Sequence, residues 1–407
     1  MPGVYVRVLC LSSVFPLPIT RGDELRVYSL LRGLKGLDGE THVLTLRRPD
    51  TSDQIIGKLE REMGARVETF FPDVGSGEHS GRVAQARRWS RTIVERTPAW
   101  MLDRTSTQLR RRASELAPGF DCVVLLEEAA GIYVESLPPR IPVVLDQQDV
   151  HGWSTAGAPT TGKPAWLYEL RHRVHLAATR SFEKRTLERC SAVSVTSKEE
   201  AARLFRLYSR NADTVVPSGV ELMPLSKGMP GTGVVGWLGT HETGVNVDGL
   251  LRFATSSWAP LGMDGYELHV AGKRPTQRVL NLQTIRGIKV LGFVEDLRTW
   301  LAGLDVAVIP LWSGAGVKLK TLTFMSASVP IVTTPVGVEG IDVEHERHCL
   351  IAEAPHELAA GLRQLLEDQA MARRLAVAAR ALVAERYTMP AIGAEFSRFV
   401  REAVNHH

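Results

Sequence analysis

The sharpest chemical signal in the chain is Gly314-Ala315-Gly316-Val317-Lys318-Leu319-Lys320. Glycines between a strand and a helix let backbone N–H groups approach an anion. The helix start adds positive dipole, and two lysines add full charge. A phosphate or diphosphate suits that combination; the competing reading is a tight turn followed by a basic helix start. The spacing is not G-x-x-x-x-G-K-[ST], so this is no P-loop. No G-x-G-x-x-G follows the first apolar run, which disfavours nicotinamide cofactors.

Carboxylates supply the second signal. Glu127 and Glu128 follow an apolar run, and Asp146, Asp149 and His151 follow the next. A carboxylate at a strand exit can bind an acceptor hydroxyl or take its proton. It can equally cap or complement a helix N-terminus. Gly22-Asp23-x-x-Arg26 opens the first helical stretch, where Asp23 can cap and Gly22 can allow close backbone approach. No group of His, Cys, Asp or Glu has metal-ligand spacing, so no metal is expected.

These residues need a frame that brings strand exits together. Short β-branched runs at Val4–Ser12, His42–Leu46, Asp121–Leu126, Pro142–Leu145 and Ala192–Thr196 alternate with helical patterns such as Glu24–Leu37. The Arg-rich stretches Arg82–Ala117 and Tyr168–Cys190 also have helical spacing. They read either as solvated helix faces or as contacts for an anionic acceptor or a membrane surface. Leu222–Thr232, with Pro224, Gly228, Pro230 and Gly231, has linker composition. The pattern then restarts with strands at Val234–Leu238, Tyr266–Ala271, Lys289–Leu291, Val306–Leu311 and Pro330–Thr334, and ends in the helical region Glu357–Arg386. Two successive α/β units with parallel sheets follow from this order. Ligands in such sheets bind at the carboxyl ends of the strands. That rule selects Pro16–Asp23, Leu238–Gly244, Gly272–Pro275 and Leu311–Lys320.

Composition bounds the partners. Of 407 residues, 44% are apolar and 23% charged, enough for sizeable cores. Lys and Arg number 49 against 45 Asp and Glu, a net charge of +4 that demands no nucleic acid; 6% aromatics do not favour a base-stacking platform. Cys10, Cys122, Cys190 and Cys349 are scattered without a CxxC pair, which fits a reduced cytoplasm. The N-terminus does not read as a signal peptide, and no run reaches the ~20 apolar residues of a membrane span.

The sequence also resembles a known family. PLWSGAGVKLKTLTFMSASVPIVTTPVGVEGI (Pro310–Ile341) is similar to the P-x-x-x-G-x-G-x-[RK]-x-K-x-L-E-A-M-A-x-G-x-P segment of the retaining GT-B glycosyltransferases of family 4, the group 1 glycosyltransferases. VVPSGVEL (Val215–Leu222), GWLGTHETGVNVDGLLRF (Gly236–Phe253) and VLGFVEDLRTWLAGLDVAVIPL (Val290–Leu311) resemble its other segments in order. Ser12–Leu34 and Val143–Ser154 look like a subgroup that makes polysaccharides or decorates lipids and natural products.

The resemblance implies a doubly wound α/β GT-B architecture, with two Rossmann-like domains facing across a cleft. Residues 1–215 would bind the acceptor and 216–386 the nucleotide sugar, while 387–407 would form a helix returning to the first domain. It implies a retaining transfer from a nucleoside-diphosphate sugar to a sugar, lipid-linked or natural-product acceptor, with no other cofactor, and leaves room for peripheral membrane contact. Donor-binding residues would be Gly239, Thr240, Lys273, Arg274, Phe293, Val294, Gly314, Ala315, Gly316, Val317, Lys318, Lys320, Thr321 and Thr323. Gly22, Asp23, Arg26 and Asp146 would line the acceptor site, and Glu127, Glu128 and Asp149 would be catalytic. The family's E-x7-E pair is missing: Ala315 and Thr323 stand at its two positions, and Ser328 replaces a glycine. A GT-B pseudoenzyme, or an enzyme of altered chemistry, is the alternative these losses raise.

Overall fold

The computed structural model describes residues 5–73, 89–153, 165–224, 231–241, 244–314 and 316–405. The chain forms two compact units, Met1–Val216 with Ile392–His407, and Pro217–Ala391.

The N-terminal unit holds seven parallel strands in the order β3-β2-β1-β4-β5-β6-β7. They are β1 Val8–Ser12, β2 Thr41–Leu46, β3 Arg66–Phe70, β4 Cys122–Leu125, β5 Val143–Gln147, β6 Ala192–Val195 and β7 Thr214–Val215. Their side chains alternate between two apolar layers. Val8, Cys10, Val43, Cys122, Val124 and Val144 pack with the helices Gly22–Leu34 and Asp53–Met63 and with the C-terminal Ile392, Phe396 and Val400. Leu9, Leu11, Leu44, Val123, Leu125, Val143 and Leu145 pack against Thr107–Leu116 and the 3-10 turns Glu128–Ser136 on the other face. Burial on both faces explains why these runs are continuously apolar rather than alternating.

The C-terminal unit holds six parallel strands in the order β10-β9-β8-β11-β12-β13. They are β8 Val234–Leu238, β9 Glu267–Ala271, β10 Ile288–Gly292, β11 Val306–Ile309, β12 Ile331–Thr333 and β13 Leu350–Ile351. In both units strand order reverses beside the first strand, between β1 and β4 and between β8 and β11. Chain connections leave to opposite sides at such a point and open a crevice at the strand exits.

Two of the expected helical stretches are subdivided, and one expected cap needs correction. Among its described residues, Arg82–Ala117 is not one helix: the chain breaks at Pro98 and restarts at Ser106, whose hydroxyl caps Thr107–Leu116. Residues 82–88 lie outside the described ones. Glu357–Arg386 is two helices, Pro355–Glu367 and Gln369–Arg386, because Asp368 accepts from the Met371 N–H and starts the second. Asp23 does not cap the first helix. Glu24 reaches back to the N–H groups of Thr20 and Arg21, while Asp23 pairs with the Arg21 guanidinium.

The C-terminal segment is locked into the N-terminal unit by a glycine contact. An added Cβ at Gly33 would fall 2.3 Å from the Gly393 carbonyl oxygen and 2.4 Å from its Cα. Two backbones this close admit no side chain. Gly33→Ala should therefore destabilise the unit by about 3 kcal/mol through overpacking. Gly119→Ala, where a Cβ meets nothing within 4 Å, serves as control and should change the urea midpoint little. Equal midpoints for the two variants would contradict the close crossing.

Candidate active site

At the switch point of the C-terminal unit, the loop after β11 turns into the helix Leu319–Ser326. Gly314 and Gly316 have φ of 121° and 74°, conformations that side chains oppose. Val317 follows, and Lys318 folds its ammonium back onto the Gly316 carbonyl. Ala315 lies outside the described residues.

Lys320 projects toward the β8 exit. Its Nζ donates to Asn246 Oδ1 at 2.7 Å and lies 5.3 Å from the centre of the Trp237 ring. Asn246 in turn donates to the Thr240 carbonyl at 3.1 Å, fixing the loop after Gly239. No carboxylate among the described residues pairs with Lys320. Burial, with the Lys318 charge as a lesser cause, lowers its pKa to about 7. Beside it His241 stacks on Trp237, with ring centroids 5.3 Å apart. His241 is 2% exposed, and among the described residues neither of its ring nitrogens nor Trp237 Nε1 has a hydrogen-bond partner.

The β9 exit closes on this cluster. An added Cβ at Gly272 would lie 1.8 Å from the Gly239 oxygen and 3.1 Å from His241 Nε2, so only glycine fits. The next residues point elsewhere: Lys273 Nζ sits 4.8 Å from the centre of the exposed Phe293 ring, and Arg274 is exposed with φ of 53°. Val294 follows Phe293 at the β10 exit, half-buried.

Two expected donor contacts take other partners. Thr321 is fully buried and donates to the Gly337 carbonyl at 2.6 Å, so it ties the helix to the turn after β12 instead of facing a ligand. Thr323 donates to the Leu319 carbonyl at 2.9 Å, one turn back in its own helix. Its proton is spent there, leaving only an acceptor oxygen. Ser328 holds φ of 58°, and its buried hydroxyl has no partner among the described residues. That conformation explains on physical grounds why glycine suits the position.

At the switch point of the N-terminal unit the chemistry is acidic. Glu127 is 3% exposed, with Oε2 2.8 Å from Ser12 Oγ and Oε1 accepting from Ser13 N–H. Glu128 accepts from the Gln148 N–H at 3.2 Å and faces His151 Nε2 at 2.8 Å. Glu127 stands at the N-cap position of the turns Glu128–Ser136, but its side chain makes no cap bond. Burial raises Glu127 to about 7, despite its hydrogen bonds. Glu128 is lowered: burial opposes ionisation, but the His151 bond and charge outweigh it. His151 is correspondingly raised to about 9. Its loop is pinned by two further acids, since Glu200 accepts from Val150 N–H and Glu183 from the N–H groups of His151 and Gly152.

Of the residues expected to bind an acceptor, two turn inward. Arg26 and Asp146 form a buried two-pronged ion pair at 2.6 Å, 3% and 0% exposed. Arg26 also donates to the Val216 carbonyl, and Ser194 donates to Asp146. This pair binds the first helix to β5 and β6 and does not face a ligand. Gly22 and Asp23 lie at the helix start, partly or fully exposed, and Asp149 is half-buried on the β5 exit loop. Sequence reasoning passed over His241 and Asn246, which show no ligand spacing, and did not single out His151 from its neighbours. Among the described residues no cluster of His, Cys, Asp and Glu could hold a metal, and no helix is long and apolar enough to cross a membrane.

Residues 232–368 match the family model described as Glycosyl transferases group 1. No curated relative matches. Solved structures similar to this chain include Anabaena Alr3699/HepE in complex with UDP and glucose, 16% identical with a TM-score of 0.65 over 97% of this chain and 99% of that one. Sucrose-phosphate synthase from Thermosynechococcus elongatus is 16% identical, with a TM-score of 0.69 over 98% and 100%. TarM of S. aureus is 10% identical, with a TM-score of 0.68 over 97% and 99%. The fold is GT-B. Within this GT-B chain the family match falls on the unit that carries Lys318, Lys320 and His241.

The proton on Glu127 can be placed from geometry. The Ser12 hydroxyl has one proton and two acceptors in reach, Val14 O at 2.9 Å and Glu127 Oε2 at 2.8 Å. A protonated Glu127 donating to Ser12 Oγ, with Ser12 donating to Val14, satisfies all three. A raised carboxyl pKa means that the folded state holds a proton the unfolded state has lost. Its contribution is complete below pH ~4.5 and is lost as pH rises through about 7. Glu127→Gln keeps the same donor and acceptor. It should fold normally at pH 6 and lose less stability than the parent between pH 6 and 8, read by urea denaturation. A steeper loss in the variant would contradict a protonated Glu127.

Proposed function

We propose that this chain is a glycosyltransferase that moves a sugar from a nucleoside-diphosphate sugar to an acceptor hydroxyl with retention, as in family 4. The observation that carries this reading is the coincidence of the group 1 match over 232–368 with a cationic strand exit in the same unit. The C-terminal unit binds the donor and the N-terminal unit the acceptor, which is a sugar, lipid-linked or natural-product hydroxyl.

As the bond between sugar and diphosphate breaks, negative charge grows on the leaving group. Lys318, Lys320 and the N–H groups opening Leu319–Ser326 are placed to stabilise it. In the N-terminal unit Glu128 holds His151 as an imidazolium at neutral pH, so His151 donates to an acceptor rather than taking a proton. Glu127 is too enclosed by Ser12 and Ser13 to meet substrate directly and positions the β1 exit. Asp149, on the same loop as His151, is the accessible carboxylate of the set.

One observation favours a second reading. With Ala315 in sequence and the Thr323 hydroxyl bonded to Leu319, no carboxylate occupies either E-x7-E position. A protein that binds nucleotide sugar without transferring it would show that pattern. Incubation with UDP-, GDP- and dTDP-sugars and an acceptor panel separates the readings. Transfer supports the enzyme, and an inverted anomer seen by NMR removes the retaining assignment. Nucleotide binding with no transfer or donor hydrolysis favours the binding protein.

Lys318→Ala and Lys320→Ala should each weaken donor binding by about 1.5–3 kcal/mol, the contribution of one charge-assisted hydrogen bond. Unchanged affinity in both would move the phosphate site elsewhere. Thr323→Glu should not tighten nucleotide binding, because the new carboxylate would be left without a partner at a rebuilt site. Tighter binding in that variant would show that the pocket still has the shape for a glutamate.

A further inference from the structure

The C-terminal site contains an imbalance that donor binding alone does not explain. Three nitrogen-bearing side chains, Trp237, His241 and Lys320, converge at the β8 exit, and the described residues supply one acceptor among them, Asn246 Oδ1. Neutral imidazole and indole each carry an N–H that must go somewhere. Leaving such donors buried and unbonded is costly, which marks a place built for an acceptor from outside.

Among the described residues, the groups around the two basic side chains are all cationic or neutral. From the β8 exit come Trp237 and His241, and from the β9 exit the backbone of Gly272. The helix Gly244–Ser257 presents Asn246; its one acid, Asp248, is drawn away to Arg278. The start of Leu319–Ser326 brings Lys318 and Lys320. Lys273, next along the β9 exit, is turned to Phe293. Without an anion, none of the described residues favours a charge on Lys320 or His241, and each discourages it on the other. Burial and neighbouring charge lower both, Lys320 to about 7.

We infer that binding of a nucleoside diphosphate at this site is coupled to proton uptake, with Lys320 and His241 gaining protons as the phosphates arrive. The inference rests on the donor-site reading above. An incoming diphosphate supplies the missing acceptors and reverses the local potential, so the amine and imidazole become ammonium and imidazolium in the complex. Free protein, donor and the protons taken up on one side balance the protonated complex on the other, and solvent buffer supplies those protons. Affinity must then fall as pH rises above neutrality, by up to tenfold per pH unit for one proton taken up.

The test is calorimetric titration of the full chain with UDP-glucose at pH 8, in buffers of different ionisation enthalpy. A diphosphate diester has no titrating proton of its own near neutrality, so exchange belongs to the protein. If UDP-glucose is silent, ADP-, GDP- and dTDP-glucose replace it. The expected result is uptake of about one proton per nucleotide in the parent. Uptake should fall to less than half in Lys320→Arg, whose guanidinium is charged beforehand, and should be reduced in His241→Asn. Binding without proton exchange, or with pH-independent affinity between 7 and 9, overturns the coupling and leaves the donor site standing. Uptake unchanged in both variants overturns the assignment to these two residues. Failure of every nucleotide sugar to bind removes the donor-site reading and the coupling with it. The pH dependence of the parent decides the matter even if a variant fails to fold.

Discussion

A lysine that no carboxylate among the described residues pairs with governs the C-terminal unit. Lys320 is kept in place by an amide oxygen and an indole face rather than by an ion pair. A buried ammonium with an acidic partner is already neutralised and has little left for a ligand. Lys320 has its charge in reserve, at the cost of a depressed pKa. The close approach of Gly272 to Gly239 and His241, the stacking of His241 on Trp237 and the Asn246 bridge all build the wall against which this amine sits. Loss of any of them would move the amine or wet it.

The N-terminal unit uses charge in the opposite way. Its inward-facing ions are paired: Arg26 with Asp146, both buried, and the half-buried His151 with Glu128. The first ties helix to sheet across residues 120 apart in sequence, and its removal on one side would leave an uncompensated buried charge. The second fixes the β5 exit loop together with Glu183 and Glu200. A raised histidine pKa contributes stability that is complete below pH ~6.5 and is lost as pH rises through about 9. Acids at one switch point and lysines at the other divide the chemistry. In the proposed reading the anionic donor goes to the C-terminal unit and the hydroxyl-bearing acceptor to the N-terminal one.

Much of the fold is legible in the sequence, for a simple reason. Strands buried on both faces read as apolar runs, and the helices between them have strong periodicity, so β1, β2, β4, β5, β6 and β8 to β12 are all anticipated. The strands β7 and β13 are two residues each, too short for any pattern. Pro98 and Asp368 interrupt stretches whose helical spacing continues past them. The phosphate loop is legible because glycines and lysines are adjacent in sequence. What Lys320 touches is not, since Trp237 and Asn246 are some 75 to 85 residues away and none of the three has a telling local pattern. Thr321 and Thr323 look alike on paper, and only the fold shows that one bonds the turn after β12 and the other its own helix. Asp146 reads as a site residue because it stands at a strand exit, and Arg26 because it opens the first helix. Their mutual burial is a tertiary fact.

The most direct test of the account is a crystal structure with a nucleotide sugar bound. The diphosphate should lie at the start of Leu319–Ser326, within hydrogen-bond reach of Lys320 and the His241 ring, with the β8 exit backbone beside it. A nucleotide bound in the C-terminal unit with its phosphates away from Lys318 and Lys320, for instance in the groove beside β12 and β13, would contradict it.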